Sequence, residues 1–195
     1  MKKPTKKELQ AIETKKKIFN ATFQLLKEHA YEEIKIMQIV NKAGVSAGTF
    51  YVYYDSKEDV VLNAADIFLQ PYQNLINNIN EKLEADEQLL YLIQQKNELI
   101  KEIGGKSYLK TALGKQIIMR KKPKARATEL IFNKAMQIVI KAQANNYFTN
   151  KRSASEIIAD IALIDTGICI HYGLSNNDSF EKYYILKDYL NSLII

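Results

Sequence analysis

Cysteine occurs once in the 195 residues, at Cys169. No disulfide can form within the chain, and no cysteine-based zinc site can be assembled from it. A secretory leader is not legible either. The lysines Lys2, Lys3, Lys6 and Lys7 are followed by no apolar run, because Leu9 and Ile12 sit among Glu8, Gln10, Glu13 and Thr14. The one strongly apolar stretch, 157–172, is broken by Asp160 and Asp165 and is expected to be too short to span a bilayer. Neither aspartate has a His or Cys at ligand spacing. No nucleophile–base pair, glycine-rich phosphate loop or pair of catalytic carboxylates is recognisable. No run alternates with period two for long enough to make a sheet, and there is no internal repeat. No catalytic residue, metal site or cofactor is therefore expected.

What remains has 47% hydrophobic and 26% charged residues, the balance of a soluble globular protein, expected in the cytoplasm. The net charge of +6 is unevenly placed. Residues 1–57 hold 11 basic and 6 acidic side chains, whereas residues 58–195 hold 17 and 16. Such an excess at one end fits an electrostatic footprint for phosphates, and it also fits a solvated lysine-rich tail. The basic loop Arg120-Lys121-Lys122-Pro123-Lys124 reads as a solvated connection rather than a second nucleic-acid site.

The pattern is helical throughout. Thr5 and Glu8 have capping-box spacing, and Ile18, Phe19, Thr22, Phe23, Leu26 and Ala30 continue as one apolar face. Ile36, Ile39, Val40 and Ala43 make a two-turn helix closed by Gly44, a residue suited to the left-handed position. Ser46 can cap a second short helix reaching Tyr54, with Val45 stapled onto Phe50, and Ser56 can cap a third. Further on, Pro71 is expected to kink or interrupt a helix. Gly104-Gly105 closes the next one, a shorter helix covers 107–119, and 119–126 is a loop. Two more helices follow over 131–144 and from a capping box at Ser153 and Glu156, and 183–193 is the last.

A long helix followed by two short ones, 36–43 and 46–54, around a tight turn describes a helix-turn-helix. At this point the stretch IKIMQIVNKAGVSAGTFYVYYDSKEDVV, residues 34–61, resembles the DNA-binding signature of TetR-family transcriptional regulators. The resemblance rests on Ile39, Ala43-Gly44-Val45-Ser46, Gly48-Thr49-Phe50-Tyr51, Tyr53-Tyr54 and Ser56-Lys57-Glu58. It implies an all-α protein, not an enzyme. Residues 8–57 would be the DNA-binding domain, and residues 58–195 a helical domain that binds a small molecule and forms the dimer.

The resemblance also distributes roles. Thr49 and Tyr51 would meet base edges, and Tyr53 and Lys57 backbone phosphates. Ala47 and Gly48 would let the helix approach the groove, and Ser46 would bring a cap and free N–H groups near phosphate. Lys35 stands where the family often has Thr, losing a side-chain cap and gaining a phosphate contact. Phe50 and Tyr54 would instead close the small core with Ile39, Val40 and Phe23. Candidate lining for an effector, expected to be mostly apolar, is Tyr91, Tyr108, Met119, Phe132, Met136 and His171. The partners implied are a palindromic double-stranded operator, the effector and a second copy of the chain, with no membrane. The stretch 157–170 is apolar nearly all round, so one side should pack on its own subunit and the other on a two-fold partner. Two other readings stay open here. One is a helical enzyme or metal-binding module in which residues 36–54 only pack; the other is a DNA-binding protein that dimerises and senses nothing.

Overall fold

Among the described residues the chain forms ten α-helices. They are α1 (Lys6–Glu28), α2 (Ile36–Ala43), α3 (Ala47–Tyr53), α4 (Lys57–Leu62), α5 (Ala65–Asn77), α6 (Ala85–Ile103), α7 (Gly105–Met119), α8 (Arg126–Ala144), α9 (Ala154–Leu174) and α10 (Tyr183–Asn191), with a 3-10 turn at Tyr31–Glu33. The computed structural model describes residues 5–62, 65–103, 105–119, 126–177 and 179–195, and only the backbone of 65–68, 103, 115–119, 126 and 127. The lysine-rich 120–124 and the first four residues lie outside that description. Among the described residues there is no strand, only an isolated bridge between Phe148 and Ile194.

Local chemistry sets the helix ends. At α1, Glu8 N–H donates to Thr5 Oγ1 at 3.3 Å and Thr5 N–H donates to Glu8 Oε2 at 2.6 Å, so two orphan donors are satisfied reciprocally. The same device starts α9, where Ser153 and Glu156 exchange bonds. Helix α1 stops two residues before Ala30. His29 turns to extended backbone, and Ala30 is exposed rather than part of the apolar face. Pro71 lies inside α5 without ending it.

The body is built on α8 and α9. Helix α8 packs on α5, α6 and α9, while α9 also takes α7 and α10. Leu89, Leu92, Ile93, Ile131, Ala135, Val139, Ile157 and Ile161 are fully buried between these helices. Helix α9 runs 21 residues, longer than the apolar stretch 157–172, and so is long and apolar enough to cross a membrane by length and composition only, as core helices of soluble proteins also are. It is partly covered here, with Asp165 turned into the bundle. Asp160 and Asp165 do not share a site but are each paired separately. Asp160 bonds Arg152 and Tyr189, and Asp165 bonds Lys96.

Helix α9 divides sharply by face. Ile157, Ile161, Ile168, Cys169 and Tyr172 are buried, whereas Ala159, Leu163, Thr166, Gly167, Ile170 and Leu174 are exposed. From Ala159 onward the exposed residues recur at helical spacing and carry no charge. Leu163 and Leu174 are 77% and 75% exposed, which marks an apolar stripe without a cover in one chain.

Candidate nucleic-acid interface

The small unit at the front of the chain explains its own aromatic cluster. Phe50 is fully buried and Tyr54 nearly so, their rings 5.9 Å apart, within one core that includes Phe19, Phe23, Ile39 and Val40. Tyr51 and Val52, one and two residues on, are 56% and 75% exposed. Tyr53 is half-buried, less outward than its place in the helix suggested. A seven-residue helix thus spends Phe50 on the core and offers Tyr51 to solvent.

Gly44 adopts φ +66°, ψ 36°, the left-handed conformation that ends α2, and nothing lies within 4 Å of where a Cβ would stand. Only its backbone conformation demands glycine there. Gly48 is different. Its φ is unremarkable, and an added Cβ would meet only Ser46 Oγ at 3.7 Å, an ordinary contact. Alanine would fit and would favour the helix by roughly 0.5–1 kcal/mol. Neither space nor conformation within the chain explains the glycine, so the expected reason is an outside surface that approaches the backbone. Gly48→Ala is accordingly expected to melt at or above wild type while binding its DNA less tightly; weaker folding with unchanged binding would refute this.

Ser46 caps α3 by accepting from Thr49 N–H at 3.0 Å, and its hydroxyl also pairs with Thr49 Oγ1 at 2.8 Å. Thr49, half-buried, is thereby tied through its hydroxyl to the cap residue. Ala47 is half-buried beside it. Lys35 gives α2 no side-chain cap, as its type requires, but Gln38 Oε1 accepts the Lys35 N–H at 2.7 Å and restores one bond. The Lys35 side chain is exposed, as is Met37.

Lys57 departs from expectation. Its ammonium turns inward onto the segment that links α1 to α2, donating to Tyr31 O and Ile34 O at 2.8 Å each. With its donors on carbonyls, it does not present its charge to an outside phosphate.

The candidate effector residues are not gathered into one cavity. Tyr91, Phe132, Met136 and His171 are half-buried on α6, α8 and α9, and the Met119 side chain lies outside the described residues. Tyr108 packs its ring 5.4 Å from Phe23 of α1, and burial pushes its phenol up to about 12. Among the described residues, open clefts of about 390, 330 and 510 Å³ indent the surface, and none of these is lined by Tyr91, Tyr108, Phe132, Met136 or His171. The third is bordered largely by lysines and glutamates, and the first by a mixture of charged, amide and apolar side chains.

The body's interior holds instead a group that sequence reading missed. Lys96 and Asp165, both buried, form an ion pair. Asn97 Nδ2 donates to Asp165 Oδ1 at 3.0 Å, and Cys169 Sγ donates to Asn97 Oδ1 at 3.4 Å. Burial opposes the charge on Lys96, yet the Asp165 carboxylate and Cys169 beside it leave its pKa raised overall. Burial pushes the Cys169 thiol up to about 12. A signal was present: Lys96 and Asn97 fall at i+3 and i+4 from Ile93, on the face that continues to Ile100.

Comparison with known proteins agrees with the geometry. Residues 18–64 match the family model described as "Bacterial regulatory proteins, tetR family". Over 84 residues the chain is 29% identical to the fatty acid metabolism regulator protein of Bacillus subtilis, an alignment covering 43% of each chain. The match therefore spans less than half the length of that relative. Over nearly the whole chain the fold is that of solved regulators. A Rhodococcus sp. structure described as a TetR-family transcriptional regulator superposes with a TM-score of 0.72 at 13% identity, over 93% of this chain and 98% of that one. The transcriptional regulator FadR of Bacillus subtilis, in complex with stearoyl-CoA, gives 0.68 at 18%, over 92% and 97%.

Proposed function

Because the chain belongs to the TetR family of bacterial regulatory proteins, we infer that it is a cytoplasmic transcriptional repressor, dimeric on a palindromic operator and released by a small molecule. It is read as a regulator and not as an enzyme. Residues 8–57 form the DNA-reading unit, and residues 58–195 the unit that dimerises and senses. The observation that carries this reading is the division of α3, with Phe50 inside, Tyr51 and Val52 outside and Thr49 half-buried between them on a helix capped by Ser46. Thr49 and Tyr51 read base edges in the major groove, Tyr53 and Lys35 bond phosphates, and Ala47 and Gly48 admit close approach. Selection from a random-sequence DNA pool with the full-length protein, followed by binding across a salt series, tests it. A palindrome bound with a steep negative salt slope is the expected result; recovery of no preferred sequence would remove the reading.

The dimer is assigned to the uncharged stripe of α9. The inward residues Ile161 and Ile168 belong to the fold of one chain, so charge there would unfold rather than dissociate. Leu163→Glu is expected to give helical, folded monomers in sedimentation at micromolar concentration, melting below wild type only by what dimerisation contributes. A Leu163→Glu protein that remains dimeric would move the interface elsewhere.

The effector is read as mostly apolar. The Bacillus subtilis FadR structure holds stearoyl-CoA, and a long acyl chain of that kind is the first candidate for the apolar part; a phosphate-bearing CoA moiety would need basic side chains at the mouth of the site. Release from DNA requires that the ligand bind the DNA-incompetent arrangement more tightly. Since none of these open clefts is lined by Tyr91, Tyr108, Phe132, Met136 or His171, all half-buried, a ligand reaching them would have to part helices of the body.

A further inference from the structure

Lys57 opens α4, three residues after Tyr54 closes the recognition helix. Besides the carbonyls of Tyr31 and Ile34, its ammonium lies 3.4 Å from Glu32 O and 4.4 Å from the centre of the Tyr31 ring. An ammonium has three protons to donate, and here all of them are directed at one short segment, residues 31–34. Tyr31 O also accepts the Ile34 N–H at 3.3 Å inside the 3-10 turn, and Lys57 adds a side-chain donor to the carbonyls at the end of that turn. Tyr31 is gripped from its other end as well. Burial and the Glu58 carboxylate beside it hold its phenol well above the ordinary range. Residues 57 and 58 thus close on residues 31–34 from two sides.

The two ends joined in this way have a meaning in the fold. Residues 31–34 lead into α2, and residues 57–58 lead out of α3, so the contact ties the entry of the helix-turn-helix to its exit. Helix α4 also packs on α1 and α7, which connects the same point to the body. We propose that Lys57 is a positioning residue that clamps entry to exit and thereby fixes the separation of the two recognition helices in the dimer, and that it does not act as a phosphate contact. This rests on the reading of the chain as a dimeric DNA-binding regulator.

The probe is the palindromic duplex that the full-length wild-type protein recovers from a random-sequence pool, made also with its half-sites moved by one base pair in either direction. Binding is measured across a salt series for wild type, Lys57→Met and Lys57→Arg. Both variants are expected to lose roughly tenfold on the recovered duplex as the binding-competent arrangement becomes less populated. Both should discriminate less against the shifted duplexes, and both should keep the wild-type salt slope. A phosphate contact behaves otherwise. Lys57→Met would then show a slope shallower by about 0.9 for each phosphate lost, Lys57→Arg would match wild type, and spacing preference would not change; that pattern overturns the proposal. If Lys57→Met does not stay folded, Lys57→Arg alone decides. Its guanidinium keeps the charge a phosphate needs but cannot reproduce the compact three-way grip of an ammonium. Failure of the wild type to recover any sequence overturns the DNA-binding reading itself, before any variant is made.

Discussion

Asp165→Leu should destabilise the protein by about 3–5 kcal/mol at neutral pH, the range found when one partner of a buried ion pair is removed. Lys96 would be left buried without its carboxylate, and the Asn97 amide would lose its acceptor. Deprotonation limits the damage. Neutralising a lysine at pH 7 costs roughly 1.4 kcal/mol for each unit below its usual pKa of about 10.4, which caps the loss near 5 kcal/mol. The pH dependence follows with opposite signs in the two proteins. In wild type the raised Lys96 pKa contributes stability that is complete below the unfolded value and disappears as pH rises through the folded one. In Asp165→Leu the lone lysine has a lowered pKa, so its penalty should shrink between pH 7 and 10. Adding Lys96→Met to Asp165→Leu should recover most of the loss, since an apolar pair of similar volume is often neutral or better. Urea denaturation of the three proteins at pH 7 and pH 9 checks this. A single-variant loss under about 1 kcal/mol would mean that water reaches the pair.

The second large effect separates neighbours. Phe50→Ala opens a cavity in the small core and should cost about 3–5 kcal/mol, with operator binding lost only as far as folding is lost. Tyr51→Ala removes an exposed ring. Its edge contact with Phe50, centroids 5.4 Å apart, should cost the fold no more than about 0.5–1.5 kcal/mol. Its cost on the recovered duplex should be about 1–3 kcal/mol, with little change on unrelated DNA. Melting curves and binding on both duplexes decide between them. An early-melting Tyr51→Ala that keeps its sequence preference would mean that the two faces of α3 have been exchanged.

Most helices were legible because their signals are local. Thr5 with Glu8, Gly44, Ser46, Ser56 and Ser153 with Glu156 each set a helix end through backbone bonds made within a few residues. Ala30 was misjudged because its spacing continues α1 while the backbone has already turned at His29. Periodicity reports faces and not where a chain bends. The site was legible in part for the same reason. Phe50 and Tyr51 separate by helical geometry alone, whereas the inward turn of Lys57 depends on carbonyls about 25 residues earlier in the chain. The Lys96–Asp165 pair joins residues 69 apart. Each half sits on an apolar face as an apparent violation, and only the fold reveals that the violations cancel.

The contact of Tyr108 with Phe23 has a consequence for modularity. One ring belongs to α7 of the body and the other to α1, and both lie in or against a single continuous core. The segment that reads DNA therefore has no seam along which it detaches. Transplanting residues 8–57 onto another regulator's body would strand Phe23 without its partner. New specificity is more readily reached by changing the outward side chains of α3, which touch nothing the body depends on.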